Sequence, residues 1–111
     1  MATIIKAPIR RDRIRSINGG FGWVDHRLVR DRYLDRCPPT TLAVYLFLIA
    51  VADADGVSYW GDAALCERMN LGKAELKHAR ATLIEADMLA YEKPIYQILS
   101  LPKHPQPQVS A

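Results

Sequence analysis

Apolar residues recur with helical spacing over two adjacent stretches in the second half of the chain. Leu65, Cys66 and Met69 fall at i, i+1, i+4, which predicts one face of a helix beginning at Asp62. Asp62 is placed to cap that start by accepting backbone N–H bonds. Leu76, Ala79, Leu83 and Ala86 fall at i, i+3, i+7, i+10 and share one face of a second helix. Asn70-Leu71-Gly72 separates the two. Asn70 tolerates the left-handed conformation that ends a helix, and Gly72 tolerates it better still. Residues 88–91 and 95–101 then alternate as two antiparallel strands around the turn-like Glu92-Lys93-Pro94. The predicted order is helix, turn, helix, hairpin.

Upstream, residues 3–9 mix β-branched side chains with Pro8, which suits an edge strand because proline cannot donate to a ladder. Residues 10–17, RRDRIRSI, either continue that strand or form a basic arm. Asn18-Gly19-Gly20 signals a turn. The aromatic stretch 21–24 is expected to anchor the chain to the core. Asp25 then caps a helix running to about Asp35, with Leu28, Val29, Arg32 and Tyr33 on its inner face and Arg27 and Arg30 toward solvent. Cys37-Pro38-Pro39 stops it, and Thr40 or Thr41 caps the next. Residues 42–52 are apolar all round, the mark of a central helix buried on several sides. In so small a chain, part of that helix is open to a homodimer contact. Ala54-Asp55-Gly56 ends it, and residues 57–60 form a short strand that pairs with the hairpin. The last ten residues include Pro102, Pro105 and Pro107 and little to bury, so a disordered tail is expected.

These residues resemble the winged helix-turn-helix superfamily, and within it the replication-initiator and primosomal type and the small regulators of bacterial mobile elements. The likeness rests on Leu65-Cys66, where the family usually has Leu-Ala, and on Met69-Asn70-Leu71 at the turn. It continues through Leu76, Ala79 and Leu83 and through Met88-Leu89, which lead into the wing. It extends upstream through "WVDHRLV" and "LAVYLFLIAVADADG", so it covers most of the chain. Asp87 departs from the pattern, standing where the family commonly has glycine. The resemblance implies an α+β, mainly α, winged helix-turn-helix fold in the order β-α-α-β-α-α-β-β. Residues 1–20 would be a basic N-terminal arm or edge strand, 21–101 the winged-helix domain and 102–111 the tail. It also implies sequence-selective binding of double-stranded DNA, as a transcriptional regulator or as a replication or transposition accessory protein. Winged helices also serve as protein–protein interaction modules without touching DNA, which is the alternative function.

Charge sharpens the DNA reading. The 111 residues carry a formal net charge of +3, but unevenly. Residues 1–36 hold nine Lys or Arg against four Asp, whereas residues 37–72 hold one basic residue against four acidic ones. A basic front end suits a phosphate-rich partner. By 100° steps, Ala74, Lys77, His78, Ala81 and Glu85 lie opposite the apolar face of the second helix, with Lys73 and Arg80 nearer the flanks. Lys77, His78 and Lys73 would meet base edges or nearby phosphates, while Ala74 and Ala81 would let a groove approach closely. Lys93 at the hairpin tip would touch the backbone. Arg10, Arg11, Arg13 and Arg15 could reach an adjacent minor groove. Each lysine could instead be simply solvated, and Arg80 could pair with Glu67 or Glu85. Glu75, Glu85 and a wing with one lysine weigh toward the interaction module. The Trp and Tyr residues are expected in or at the edge of the core.

Other chemistry is thin. His26, His78 and His104 are far apart in sequence, and no glycine-rich phosphate loop or close Cys/His pair spacing occurs. No enzymatic activity, cofactor, metal or small-molecule substrate is therefore expected. Cys37 and Cys66 are expected as free thiols in a cytosolic chain. The longest apolar run is too short to span a bilayer and no signal peptide opens the chain, so no membrane partner and a cytoplasmic location are expected.

Overall fold

The computed structural model of the protein describes residues 6–101. Pro38 and Pro39 set the start of its longest apolar helix. Pro39 occupies the first helical position, where its missing N–H breaks no bond and its fixed φ suits the helix. Helix α2 thus runs Pro39–Val51, and Thr41 is buried inside its first turn instead of capping it. Val44, Tyr45, Leu48 and Ile49 line its inner side, which packs on a later helix and on the sheet.

Past α2 the chain reverses at Asp53–Gly56. The Asp53 carboxylate accepts the N–H groups of Asp55 and Val57, both at 2.9 Å. Gly56 has φ +82°, and a Cβ there would sit 2.8 Å from the Ile98 carbonyl oxygen, so both the turn and the close strand approach require glycine. Strand β1 (Val57–Tyr59) then forms, followed by helix α3 (Asp62–Met69) and helix α4 (Lys73–Glu85). Strands β2 (Leu89–Glu92) and β3 (Ile95–Ile98) complete a three-stranded antiparallel sheet in the order β1-β3-β2. Its register aligns Ser58, Tyr96 and Tyr91 across the three strands. The result is an α+β fold, mainly helical.

Helices α3 and α4 end the same way. Asn70 takes φ 55° and Asp87 φ 62°, both left-handed. The next residue in each case donates back five positions, Leu71 to Cys66 and Met88 to Leu83, each at 3.0 Å. Gly72 does not use its freedom of positive φ. It stands at the N-terminal boundary of α4 with φ −75°, and its N–H donates to Glu75 Oε1 at 2.9 Å, half of a capping box. One core joins Leu28, Tyr33, the inner face of α2, Leu65, Leu76, Ala79, Leu83, Met88, Leu89, Tyr96 and Leu101.

The N-terminal third departs most from expectation. Residues 6–10 contain no strand, and the rest of the expected edge strand lies outside the described residues. Among the described residues, a 3-10 turn at Arg11–Arg13 is the only regular structure before helix α1 (Arg27–Arg30). The expected helix of residues 25–35 breaks, because Arg32 turns left-handed at φ 64° and a 3-10 turn, Leu34–Arg36, follows. This break lets Leu28 and Tyr33 both reach the core while Val29 stays 72% exposed. Residues 21–24 do not anchor through their side chains: Phe21, Trp23 and Val24 are exposed. The close contact is backbone, since a Cβ on Gly22 would fall 2.8 Å from the Ile49 carbonyl oxygen. The proline-rich tail lies outside the described residues.

Candidate nucleic-acid interface

Helix α4 separates its two faces cleanly. Leu76, Ala79 and Leu83 are buried against α2, α3 and β2. Lys73, Ala74, Lys77, His78, Ala81 and Glu85 are all exposed on the other side, as their spacing predicts. Ile84 adds an apolar patch beside Glu85. Thr82 Oγ1 donates to the His78 carbonyl at 3.0 Å, which keeps that hydroxyl on its own helix.

Arg80 behaves differently from its neighbours. The helical wheel puts it on the flank as a candidate DNA donor, but the structure turns it inward. Its Nη1 donates to Asp62 Oδ1 at 2.9 Å and to the Tyr96 hydroxyl at 2.8 Å. The guanidinium also lies over the Tyr91 ring, 4.2 Å from its centre. The Arg80 side chain is only 11% exposed. Burial pulls its pKa down, but the bonds to Asp62 and Tyr96 outweigh burial and hold it above the ordinary arginine value. Neither Glu67 nor Glu85 is its partner. Asp62 correspondingly does not cap α3: the N-cap is Gly61, and the Asp62 carboxylate serves Arg80.

This junction positions the candidate surface. It ties the start of α3, the middle of α4 and both hairpin strands to one point. The Asp62 carboxyl is held below the usual carboxylate range first by the Arg80 hydrogen bond, and further by the positive charges of Arg80, Lys77 and Lys93. Lys77 on α4 and Lys93 at the hairpin tip therefore lie within electrostatic reach of the same carboxylate. The tip itself is tied down, since the Trp60 N–H donates to the Pro94 carbonyl at 3.0 Å. Sequence reasoning missed Asp62, Tyr91 and Tyr96 as the residues that orient this surface. No local spacing connects them to Arg80.

The arm is separate. Arg10, Arg11, Arg13 and Arg15 lie on the exposed N-terminal segment. Arg10 Nη2 meets Asp12 Oδ2 at 2.9 Å, an exposed pair that a phosphate could displace. Aromatic placement is mixed. Tyr33, Tyr45 and Tyr96 are buried and burial pushes Tyr45 up to about 12, but Trp23 is 84% and Tyr59 74% exposed. Cys37 and Cys66 are free. Among the described residues, no group of His, Cys, Asp and Glu could hold a metal ion, and no helix is long and apolar enough to cross a membrane. No family model, curated protein or solved structure matches the chain.

Proposed function

We propose that the chain is a winged helix-turn-helix protein that binds double-stranded DNA, with α4 as the recognition helix and the β2–β3 hairpin as the wing. The observation that carries this reading is the outward face of α4. Lys73, Lys77 and His78 stand out as donors, with Ala74 and Ala81 between them leaving the surface low enough for a major groove. Lys93 is exposed at the tip of the β2–β3 hairpin that follows α4, the place from which a wing reaches the DNA backbone. Asn70 at the α3–α4 turn and the antiparallel hairpin after α4 agree with the sequence resemblance. The biological setting in this reading is control of transcription, replication or transposition.

Selection of binding sites from random duplex DNA, followed by fluorescence anisotropy, tests it. Lys77→Ala with His78→Ala should cut preference for the selected site by a few kcal/mol at most, because a good base contact contributes about 1–3 kcal/mol. Both side chains are exposed, so the double variant should melt like wild type. A protein that binds no duplex in a salt-dependent way would overturn the proposal. It would favour the interaction-module alternative, for which the exposed Phe21, Trp23 and Val24 supply a surface.

A further inference from the structure

Helix α2 buries one face and leaves the opposite one open. Between Arg36 and Asp53 the chain has no charged residue. At about 100° per residue, Val44, Tyr45, Leu48 and Ile49 point to the core. Ala43, Leu46, Phe47 and Ala50 occupy the reverse side. Leu46 is 61% exposed, Ala43 and Ala50 are exposed, and Phe47 is half-buried with its ring edge-on to Trp60 at 5.1 Å. An apolar face this free of charge calls for an apolar occupant.

The order of residues on that face says which. Ala43 and Ala50 are equidistant from the midpoint between Leu46 and Phe47. Turned about a two-fold axis through that midpoint, an antiparallel copy of α2 sets Ala43 against Ala50 and Leu46 against Phe47. Alanines at both outer positions allow two helix backbones to approach closely, with the large side chains meeting at the centre. A self-complementary patch is what a two-fold interface needs, since each residue pair occurs twice. The charges flanking α2 fit the same arrangement. Before α2, Arg30 and Arg32 pair with Asp31 and Asp35, which leaves Arg36 as the unmatched charge at that end, while Asp53 and Asp55 follow the helix. An antiparallel copy brings its acidic end to this basic end, and the helix dipoles align favourably too.

We infer that the open face of α2 is a homodimer interface, occupied by α2 of a second copy, and that the dimer directs its two α4 surfaces away from each other. The second half follows from packing. Helix α2 meets α4 through the buried side of each, so the open face of α2 and the basic face of α4 look in roughly opposite directions. Joining two copies through α2 leaves the basic faces at opposite ends. This half rests on the DNA-binding reading: such a dimer holds two duplexes side by side instead of gripping two half-sites of one.

Sedimentation equilibrium of the full chain at micromolar concentration tests the interface without DNA. The expected mass is twice the 12.5 kDa of one chain. Leu46→Glu should give a single-chain mass and still melt cooperatively, because within one chain the side chain it replaces is exposed, at a melting temperature lowered by the stabilisation that association gives the wild type. If that variant unfolds, Leu46→Gln replaces it. Leu46→Cys should form a disulfide-linked dimer under mild oxidation, while Ala74→Cys on the far side of the molecule should not. A wild-type single-chain mass, or a dimer that persists in Leu46→Glu, overturns the interface. For bridging, an immobilised duplex is offered the protein and then a second, labelled duplex. Wild type should capture the second duplex, and Leu46→Glu should bind the first and lose the second. A wild-type dimer that binds one duplex and never two overturns the opposed arrangement. Failure to bind any duplex overturns bridging together with the DNA reading, while mass and cross-linking still decide the interface.

Discussion

Arg80 shows how a single side chain sets the candidate surface without forming part of it. Its guanidinium serves Asp62, Tyr96 and the Tyr91 ring at once. A planar fork can do this and a lysine ammonium cannot. Arg80→Ala would leave the Tyr96 hydroxyl and the Asp62 carboxylate without their partner. Breaking a fully buried pair costs about 3–5 kcal/mol. The Asp62 side chain is 22% exposed, so water recovers part of that, and a loss of about 2–3 kcal/mol in a urea melt is expected. The loss should depend on pH. Asp62 has a depressed folded pKa, so its contribution is fully present above the unfolded value of about 3.9 and vanishes as pH falls through the folded value below it. The gap between wild type and Arg80→Ala should therefore narrow below about pH 4, and a gap constant down to about pH 2 would assign the stabilisation to packing alone. None of this was legible in the sequence. Asp62 and Tyr96 lie 18 and 16 positions from Arg80, and helical periodicity reports only on neighbours within a few turns. Lys77 and His78 were legible because exposure on a helix follows from the angle to its apolar stripe.

At the scale of elements, periodicity succeeded where one face had to be buried and failed where a backbone turn intervened. Helices α3 and α4 and the hairpin stand where the apolar spacing put them, and β1 pairs with the hairpin through β3. The helix expected over residues 25–35 instead breaks at Arg32. Leu28 and Tyr33 fit a helical stripe, yet both reach the core across a left-handed residue that the pattern of polar and apolar positions does not encode. Asp87 stands where the family commonly has glycine, yet it takes the same left-handed backbone that favours glycine, so the end of α4 keeps its form despite the departure. The Asp87 φ of 62° costs a residue with a Cβ about 1–2 kcal/mol. Glycine removes that strain but loses more entropy on folding. Asp87→Gly should therefore raise stability by up to about 1 kcal/mol, and Asp87→Val should lower it by about 1 kcal/mol or more, since a β-branched residue is a true outlier there. Equal chemical melts for all three proteins would mean that the end of α4 relaxes to another conformation.

For the whole molecule, the uneven charge along the chain matters more than its small net value. The acidic middle third contains α2, β1 and α3, while basic residues concentrate on the N-terminal segment and on α4. The expected edge strand did not appear in residues 6–10, and the residues that follow present Arg11, Arg13 and Arg15 to solvent. If α4 supplies discrimination and this segment supplies affinity, the two parts should separate experimentally. Deleting residues 1–16 removes Lys6, Arg10, Arg11, Arg13 and Arg15. Binding should weaken on every duplex, selected or random, because phosphate contacts carry no sequence information. The slope of log K against log salt should become shallower by about 0.9 for each phosphate that the protein no longer neutralises. Arg10 already pairs with Asp12, so the change should fall short of what five freely available cations would give, at about 1–3 in slope. Preference for the selected site should survive the deletion, and the Lys77→Ala, His78→Ala variant should show the opposite behaviour, reduced preference with most of the salt slope retained. An unchanged slope in a truncated protein that circular dichroism shows to be folded would remove the arm from the interface and leave α4 and the hairpin to account for all of the affinity.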